Sequence, residues 1–219
     1  MKSPSTCILS AYEQEKLMDK LSIFKIQGQD KRGHKLLRII GNLFPARLVS
    51  AEVLRKYMNE KVFPRLSNDG DEVKPFSVVY MHTGVEWREN LPGIMAARSI
   101  NNAIPVNIRS NLQAIYFVHP DLQSRVFLAT FGRLLFSQEL YSKVIYMSRL
   151  QFLWKHIRRN EMELPEFISN YDKALDSCRR RRLPLADYSL EFHDRKNQVH
   201  SVAAYLESPI STFSIRRIG

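Results

Sequence analysis

The sequence predicts an α/β domain built on a mainly parallel sheet, and three observations carry that prediction. The runs Phe76–His82 and Gln113–Val118 are apolar on both faces, as central parallel strands covered by helices must be. From Phe76 to Leu175, strand and helix patterns alternate, which favours parallel pairing through helical crossovers. Of the 219 residues, 44% are hydrophobic and 25% charged, enough apolar surface for one sizeable core and too much for a disordered chain.

Leu17, Met18 and Leu21 recur at helical spacing, so a short amphipathic helix is expected between Ser10 and Leu21. Ile23–Ile26 and Leu36–Ile40 are β-favouring runs joined through Gly28 and the polar stretch Asp30–Gly33, the pattern of a hairpin or a sheet edge. Val53, Leu54, Tyr57, Met58 and Val62 fit a helix over Ala51–Val62 that Pro64 stops, and Ser67–Lys74 reads as a polar loop. After the strand at Phe76–His82, closed by Gly84, comes a helical stretch from Pro92 to Ala103. The strand Gln113–Val118 is followed by a helix from Asp121 to Phe136, a third strand at Val144–Met147, a helix at Leu150–Ile157, and another over Glu166–Leu175 that Pro165 introduces. After Asp176 the periodicity fades, and Ser201–Gly219 reads as a mobile tail.

Several function classes are excluded or weakened. No two of the eight glycines are separated by a single residue, so a dinucleotide fingerprint cannot be present; none are four apart, so there is no G-x-S-x-G elbow. Gly28 and Gly33 have phosphate-loop spacing, but His34 stands where a lysine is needed. Cys7 and Cys178 alone form neither a disulfide framework nor a zinc site and suit a reducing compartment. His82 and His119 each end a predicted parallel strand and face one site if they share a side; with no third ligand evident, the expectation is no metal. The reading is therefore non-catalytic, without cofactors, and cytosolic, there being neither a membrane-length apolar run nor a leader pattern.

Lys and Arg outnumber Asp and Glu by 33 to 22, a formal charge of +11, which attracts polyanions. Basic stretches stand at Lys31, Arg32 and Lys35, at Lys155, Arg158 and Arg159, and most densely at Arg179, Arg180, Arg181 and Arg182. No recognition helix, zinc module or exposed stacking platform accompanies them, so nucleic acid is not expected and an anionic membrane surface is the favoured partner. Trp87 and Trp154 are candidates for interfacial anchors or for ordinary packing.

The strand end Tyr116-Phe117-Val118-His119-Pro120, the apolar helix Phe127–Phe136, the strand Val144-Ile145-Tyr146, the segment Phe76–Gly84 and the closing Leu164-Pro165-Glu166-Phe167 together resemble the CRAL-TRIO lipid-binding family. The likeness is to its short branch, found beside Rho GTPase-activating modules and macrodomains, and Arg38–Pro45 looks like the opening segment of macrodomain-linked and stand-alone plant forms. The resemblance implies a sheet floor under a hydrophobic lipid pocket closed by a mobile helix, with residues 1–21 as a short helical segment, 22–192 as the lipid-binding domain and 193–219 as a basic tail. Its implied activity is binding, with transfer, of a phospholipid or other hydrophobic ligand by a protein peripherally associated with membranes in signalling. The rival reading is a scaffold for a small GTPase or its regulator.

On this reading the lipid-binding candidates are Tyr80, His82, Tyr116, Val118, Phe127, Phe131, Leu135 and Tyr146, and the docking candidates are Arg179–Arg182. Rings with polar tips orient a headgroup, while the helix carrying Phe127, Phe131 and Leu135 is apolar over most of its circumference, as a buried or gating helix is. The single chain leaves open which sheet face lines the pocket.

Overall fold

The computed structural model describes residues 9–68, 70–91 and 93–182. Ser10 opens α1 (Ala11–Lys20) with a reciprocal cap: its hydroxyl accepts from the Glu13 amide, and the Glu13 carboxylate accepts from the Ser10 amide. The expected hairpin follows as β1 (Phe24–Gln29) and β2 (Lys35–Ile40), paired antiparallel. β5 (Phe76–Met81), β6 (Leu112–Val118) and β7 (Val144–Met147) extend it in parallel, giving the order β1-β2-β5-β6-β7, with the short pair β3 (Ser67–Asn68) and β4 (Gly70–Val73) standing apart. The α/β, mainly parallel architecture is thus as expected.

Between β2 and β3 lie α2 (Ala51–Tyr57), a wider turn at Met58–Val62 and a tight turn at Phe63–Leu66. Pro64 does not stop this segment; it occupies the first turn of the last piece, where a missing N–H costs nothing. Ser67–Lys74 is likewise not a plain loop, because β3 and β4 occupy most of it. Between β5 and β6 come α3 (Trp87–Asn90), α4 (Ile94–Asn102) and α5 (Val106–Asn111), and between β6 and β7 come α6 (Leu122–Leu135) and α7 (Gln138–Ser142). The chain continues through α8 (Leu150–Leu153), one turn rather than the two expected, into α9 (Glu166–Arg182). α9 continues past Asp176, where the apolar periodicity fades, to Arg182. The proposed boundary at residue 192 and the tail 193–219 lie outside the described residues.

The two sheet faces are covered differently. On one, Leu36, Val79, Met81, Ala114, Tyr116, Val118 and Met147 pack against Leu150, Leu153, Ile157, Met162 and Ile168, all buried. On the other, Phe24, Leu37, Ile39, Phe76, Val78, Tyr80, Ile115, Phe117 and Tyr146 share a side by register, under α2, α4 and α5. Burial alternates along β5 and β6 accordingly: Val79, Met81, Tyr116 and Val118 are closed off, whereas Val78, Tyr80, Ile115 and Phe117 are only partly buried.

Asp30 pins the hairpin to the central strand beneath the packed face. Its buried carboxylate accepts from the amides of Arg32 and His34, from the His34 ring at 3.0 Å and from the Ser77 hydroxyl at 3.2 Å. Burial alone would raise its pKa, but these donors hold it below the usual carboxylate value. Asp30→Ala strands the fully buried Ser77 hydroxyl and the His34 ring, and a loss on the order of 2 kcal/mol is expected in urea unfolding. Because the folded-state pKa is depressed, the stabilisation is present above about pH 4 and lost as pH falls through the folded value, so the parent and Asp30→Ala curves converge in acid.

Candidate functional site

Above the less tightly covered sheet face lies a cavity of about 350 Å³. Its floor is the row Phe76, Val78 and Tyr80 of β5, flanked by Leu37 and Ile39 on β2 and by Leu112 and Ile115 on β6. At about 3.3 Å per strand residue, Phe76 to Tyr80 gives a floor roughly 13 Å long. The roof comes from Leu54 and Met58 on one side and from Ala97, Ile100, Ile104 and Ile108 on the other. Few polar residues are in its wall, Tyr80, Asn59, Asn90, Arg55, Asn101 and Arg109, and its surface is almost wholly carbon. Such a space excludes charge and water and accepts hydrocarbon.

Tyr80 is the sequence-predicted candidate that lines this cavity, and burial raises the pKa of its phenol. It begins an aromatic row along the same sheet face: Tyr80 to Phe117 at 5.0 Å between ring centroids, His82 to Phe117 at 5.1 Å, and Phe117 to Tyr146 at 5.8 Å. Tyr146 lies beyond the cavity edge under the Arg125 guanidinium of α6, its phenol pushed up to about 12 chiefly by burial. Neither ring nitrogen of His82 has a hydrogen-bond partner among the described residues; Nε2 stands 3.4 Å from Asp121 Oδ1, out of line for a bond.

Tyr116 and Val118 do not reach the cavity. They alternate with Ile115 and Phe117, and strand period two turns them into the closed core, where Tyr116 stacks on His156. Phe127 packs edge-on against Trp87 at 4.9 Å and stacks near Phe131, and neither lines the cavity. The side chain of Leu135 and those of Arg179–Arg182 lie outside the described residues. α6 does expose apolar surface, with Leu122 69%, Val126 43% and Phe131 40% accessible. Sequence reading missed the roof residues of α2, α4 and α5, although Ile100, Ile104 and Ile108 recur at helical spacing across the break at Pro105.

The two strand-end histidines do not share a site. His82 faces the aromatic row, whereas His119, in left-handed backbone at φ +52°, joins elements on the packed side: Thr83 bonds its Nδ1 at 2.8 Å, and its Nε2 bonds Asp172 of α9 at 2.9 Å. Asp172 also accepts from the Arg149 guanidinium and the Leu150 amide, each at 3.0 Å, so one carboxylate fastens α9 to the ends of β6 and β7. Burial is the larger influence on both imidazoles and lowers both pKa values, against the opposing pull of Asp121 and Asp172.

A model of the divergent CRAL/TRIO domain matches residues 33–174, the stretch that supplies most of the floor, part of the roof and the His119 junction. The protein GDAP2 homolog of Drosophila melanogaster is 24% identical over 147 residues, 67% of this chain and 26% of that protein. Rho GTPase-activating protein 68F of the same fly is 27% identical over 176 residues, covering 80% of this chain and 35% of the relative. The chain therefore spans about a quarter to a third of the length of these relatives. Among solved structures, that of Sfh5 aligns over 63% of this chain and 55% of its own, with 13% identity and a TM-score of 0.45.

The contrast between the histidines is testable. His119→Ala removes the partner of the buried Thr83 hydroxyl and one of the donors to Asp172 and is expected to cost about 2 to 3 kcal/mol in urea unfolding, whereas His82→Leu removes an imidazole with no hydrogen bond and leaves stability within about 1 kcal/mol. Both folded-state pKa values lie below the ordinary 6.5, so the unfolded chain takes up protons first and stability falls as pH drops below about 6.5. Each substitution should flatten that slope; an unchanged slope in both would show that these rings do not set it.

Proposed function

Since the chain belongs to the divergent CRAL/TRIO family, we propose that it binds one hydrophobic or amphipathic lipid in the cavity above the sheet, acts at cytosolic membrane surfaces and performs no catalysis. The observation that supports this most is the cavity itself: 350 Å³ walled almost wholly by side-chain carbon on a sheet whose opposite face is fully packed. Interiors pack densely, and an unfilled apolar space of this size is costly unless something occupies it. A hydrocarbon chain is the natural occupant, since each buried methylene gains about 0.8 kcal/mol over exposure to water.

Release to and uptake from a bilayer require part of the roof to move. α6, with its outward apolar residues Leu122, Val126 and Phe131, is the element suited to touch acyl chains, and it ends beside Phe136 at the cavity wall. The +11 charge and the arginines at 179–182 supply attraction to an anionic surface, at about 1 kcal/mol per surface cation. No described helix is long and apolar enough to cross a membrane, which leaves peripheral contact as the mode proposed. A second reading, a scaffold for a small GTPase or its regulator, draws on the name of the fly relative, a Rho GTPase-activating protein. Both functions can use this fold.

Native mass spectrometry and organic extraction of the purified protein are expected to find about one lipid per chain. Ala97→Phe projects a ring into the cavity from the roof and should keep the protein folded, with unchanged or slightly raised Tm, while lowering occupancy at least tenfold. A chain that stays empty with mixed vesicles yet captures a GTPase would favour the scaffold.

Capture by anionic vesicles is expected to weaken as salt rises and the Debye length shrinks to about 8 Å at physiological strength. Alanine at 179–182 should reduce that capture while leaving cavity occupancy unchanged, and Phe131→Asp should slow transfer between vesicles in a protein of near-parent stability, because the residue is 40% accessible. Vesicle capture equal to the parent's would remove the arginines from the docking surface.

A further inference from the structure

α2 and α4 meet over the cavity, and on the outer side of that meeting lies a second space. It is an open concavity of about 500 Å³, walled by Arg55 of α2 and by Arg98, Ser99, Asn102 and Ala103 at the end of α4. Arg55 and Ala103 also wall the apolar cavity, so the two spaces adjoin at these residues. Helical spacing explains the division: Ala97, Ile100, Asn101 and Ile104 form the stripe that walls the cavity, while Arg98 and Asn102, four residues apart, lie with Ser99 on the next stripe. The seam thus joins a basic outer rim to a carbon-walled interior.

The wall of the outer space holds two cations and no acid. Arg55, Arg98, Ser99 and Asn102 are all exposed, and neither guanidinium has an ion pair or hydrogen bond among the described residues. The neighbouring acids are engaged elsewhere or stand outside: Glu15 and Glu60 pair with Lys56, and Glu52, one turn before Arg55, is not in the wall. Arg98 is the single charged residue of α4. A helix end carries about half a negative charge on its free carbonyls, yet those of Ser99, Ile100 and Asn101 already accept from the Ala103 and Ile104 amides, and that of Asn101 also from Arg109 Nη2 at 2.9 Å. Two full positive charges therefore set the sign of the site.

Resting on the lipid-binding reading above, we propose that the ligand is a single-chain lipid ending in a phosphate monoester, its head held by Arg55 and Arg98 in the outer space and its tail passing Ala103 into the cavity over Val78. Charge argues for the head. A phosphate monoester carries about −1.5 to −2 charges at neutral pH and three acceptor oxygens, a match for two guanidinium forks with Ser99 and Asn102 beside them. A carboxylate or a phosphodiester brings a single charge and leaves one arginine without a partner. Size argues for the tail: with a methylene roughly the size of a water molecule, about 30 Å³, the 350 Å³ cavity holds on the order of a dozen such groups, one chain rather than two.

The test uses the delipidated full chain at neutral pH and physiological salt, and displacement of a fluorescent dodecyl-chain probe by dodecyl phosphate, its methyl ester and dodecanol, all below micelle formation. Dodecyl phosphate is expected to bind at least tenfold more tightly than dodecanol, with the singly charged methyl ester between them. A large excess of inorganic phosphate should leave the affinity for dodecyl phosphate within twofold; loss of the preference under that excess would assign the arginines to free phosphate and overturn the lipid head. Arg55→Gln and Arg98→Gln change exposed side chains and should keep parental stability. Each is expected to reduce the phosphate preference about threefold, and the double variant to bind phosphate and alcohol alike, with dodecanol within twofold of the parent. Lys56→Gln, which removes an exposed cation of α2 outside the pocket wall, should leave the preference within twofold, and an equal loss there would reduce the effect to general surface charge. Equal binding of dodecyl phosphate and dodecanol to the parent, equal binding of the monoester and its methyl ester, or a preference that survives in the double variant overturns the inference, and bound dodecanol then leaves the lipid-binding reading standing. Failure of every chain-bearing ligand to bind would sink both.

Discussion

The rest of this structure depends on the unequal coverage of a sheet that is apolar on both faces. A parallel strand such as β5 cannot present either side to water, so helices must cover both. On one side, α8 and the start of α9 close down until Leu153, Ile157 and Ile168 have no accessible surface. On the other, α2, α4 and α5 span the sheet without reaching its middle, and Val78, Tyr80 and Ile115 face a space instead of a neighbour. Function, on the reading proposed here, is what occupies that space.

Polar anchoring follows the same division. Asp30 secures the hairpin beneath the packed face, Asp172 fastens α9 through His119, Arg149 and Leu150, and buried Arg38 donates to the backbone oxygens of Ser22 and Glu163. These are multiply bonded groups whose loss strands buried partners, so they make the packed side stiff. On the other face, His82, Asn101 and Arg109 carry buried polar atoms without a hydrogen-bond partner among the described residues, as Arg38 Nε does on the packed side. A frame rigid on one face can then tolerate rearrangement on the other, the mechanical requirement for admitting a ligand that must be almost fully enclosed.

The fold was largely legible in the chain. The runs Phe76–His82, Gln113–Val118 and Val144–Met147 read as strands by their apolar character and fold as β5, β6 and β7, and the helices expected from Ser10 and Asp121 begin at those residues, which the structure shows as their caps. One deviation came where strand pairing overrode pattern, the paired β3 and β4 in a polar stretch; the others are the widened turn after Tyr57 and the continuation of α9 to Arg182. The candidate site was less legible. Tyr80 was placed on the cavity floor, but Tyr116 and Val118 were assigned to the same pocket because a run apolar on both sides carries no mark of which side is which.

By itself, then, the sequence determined the class of fold, the five strands of the main sheet, the family likeness and the surplus of positive charge, because these rest on local periodicity, motif and composition. Only the tertiary structure decided which face holds the cavity, that its roof comes from α2, α4 and α5, and that Asn101 and Arg109 meet at one end of it. Register explains the first: strand period two assigns odd and even residues to opposite faces, and helix packing alone chooses which face closes. The last is a matter of distance in space, since an unpaired donor and acceptor become visible only once the groups that fail to reach them are in place.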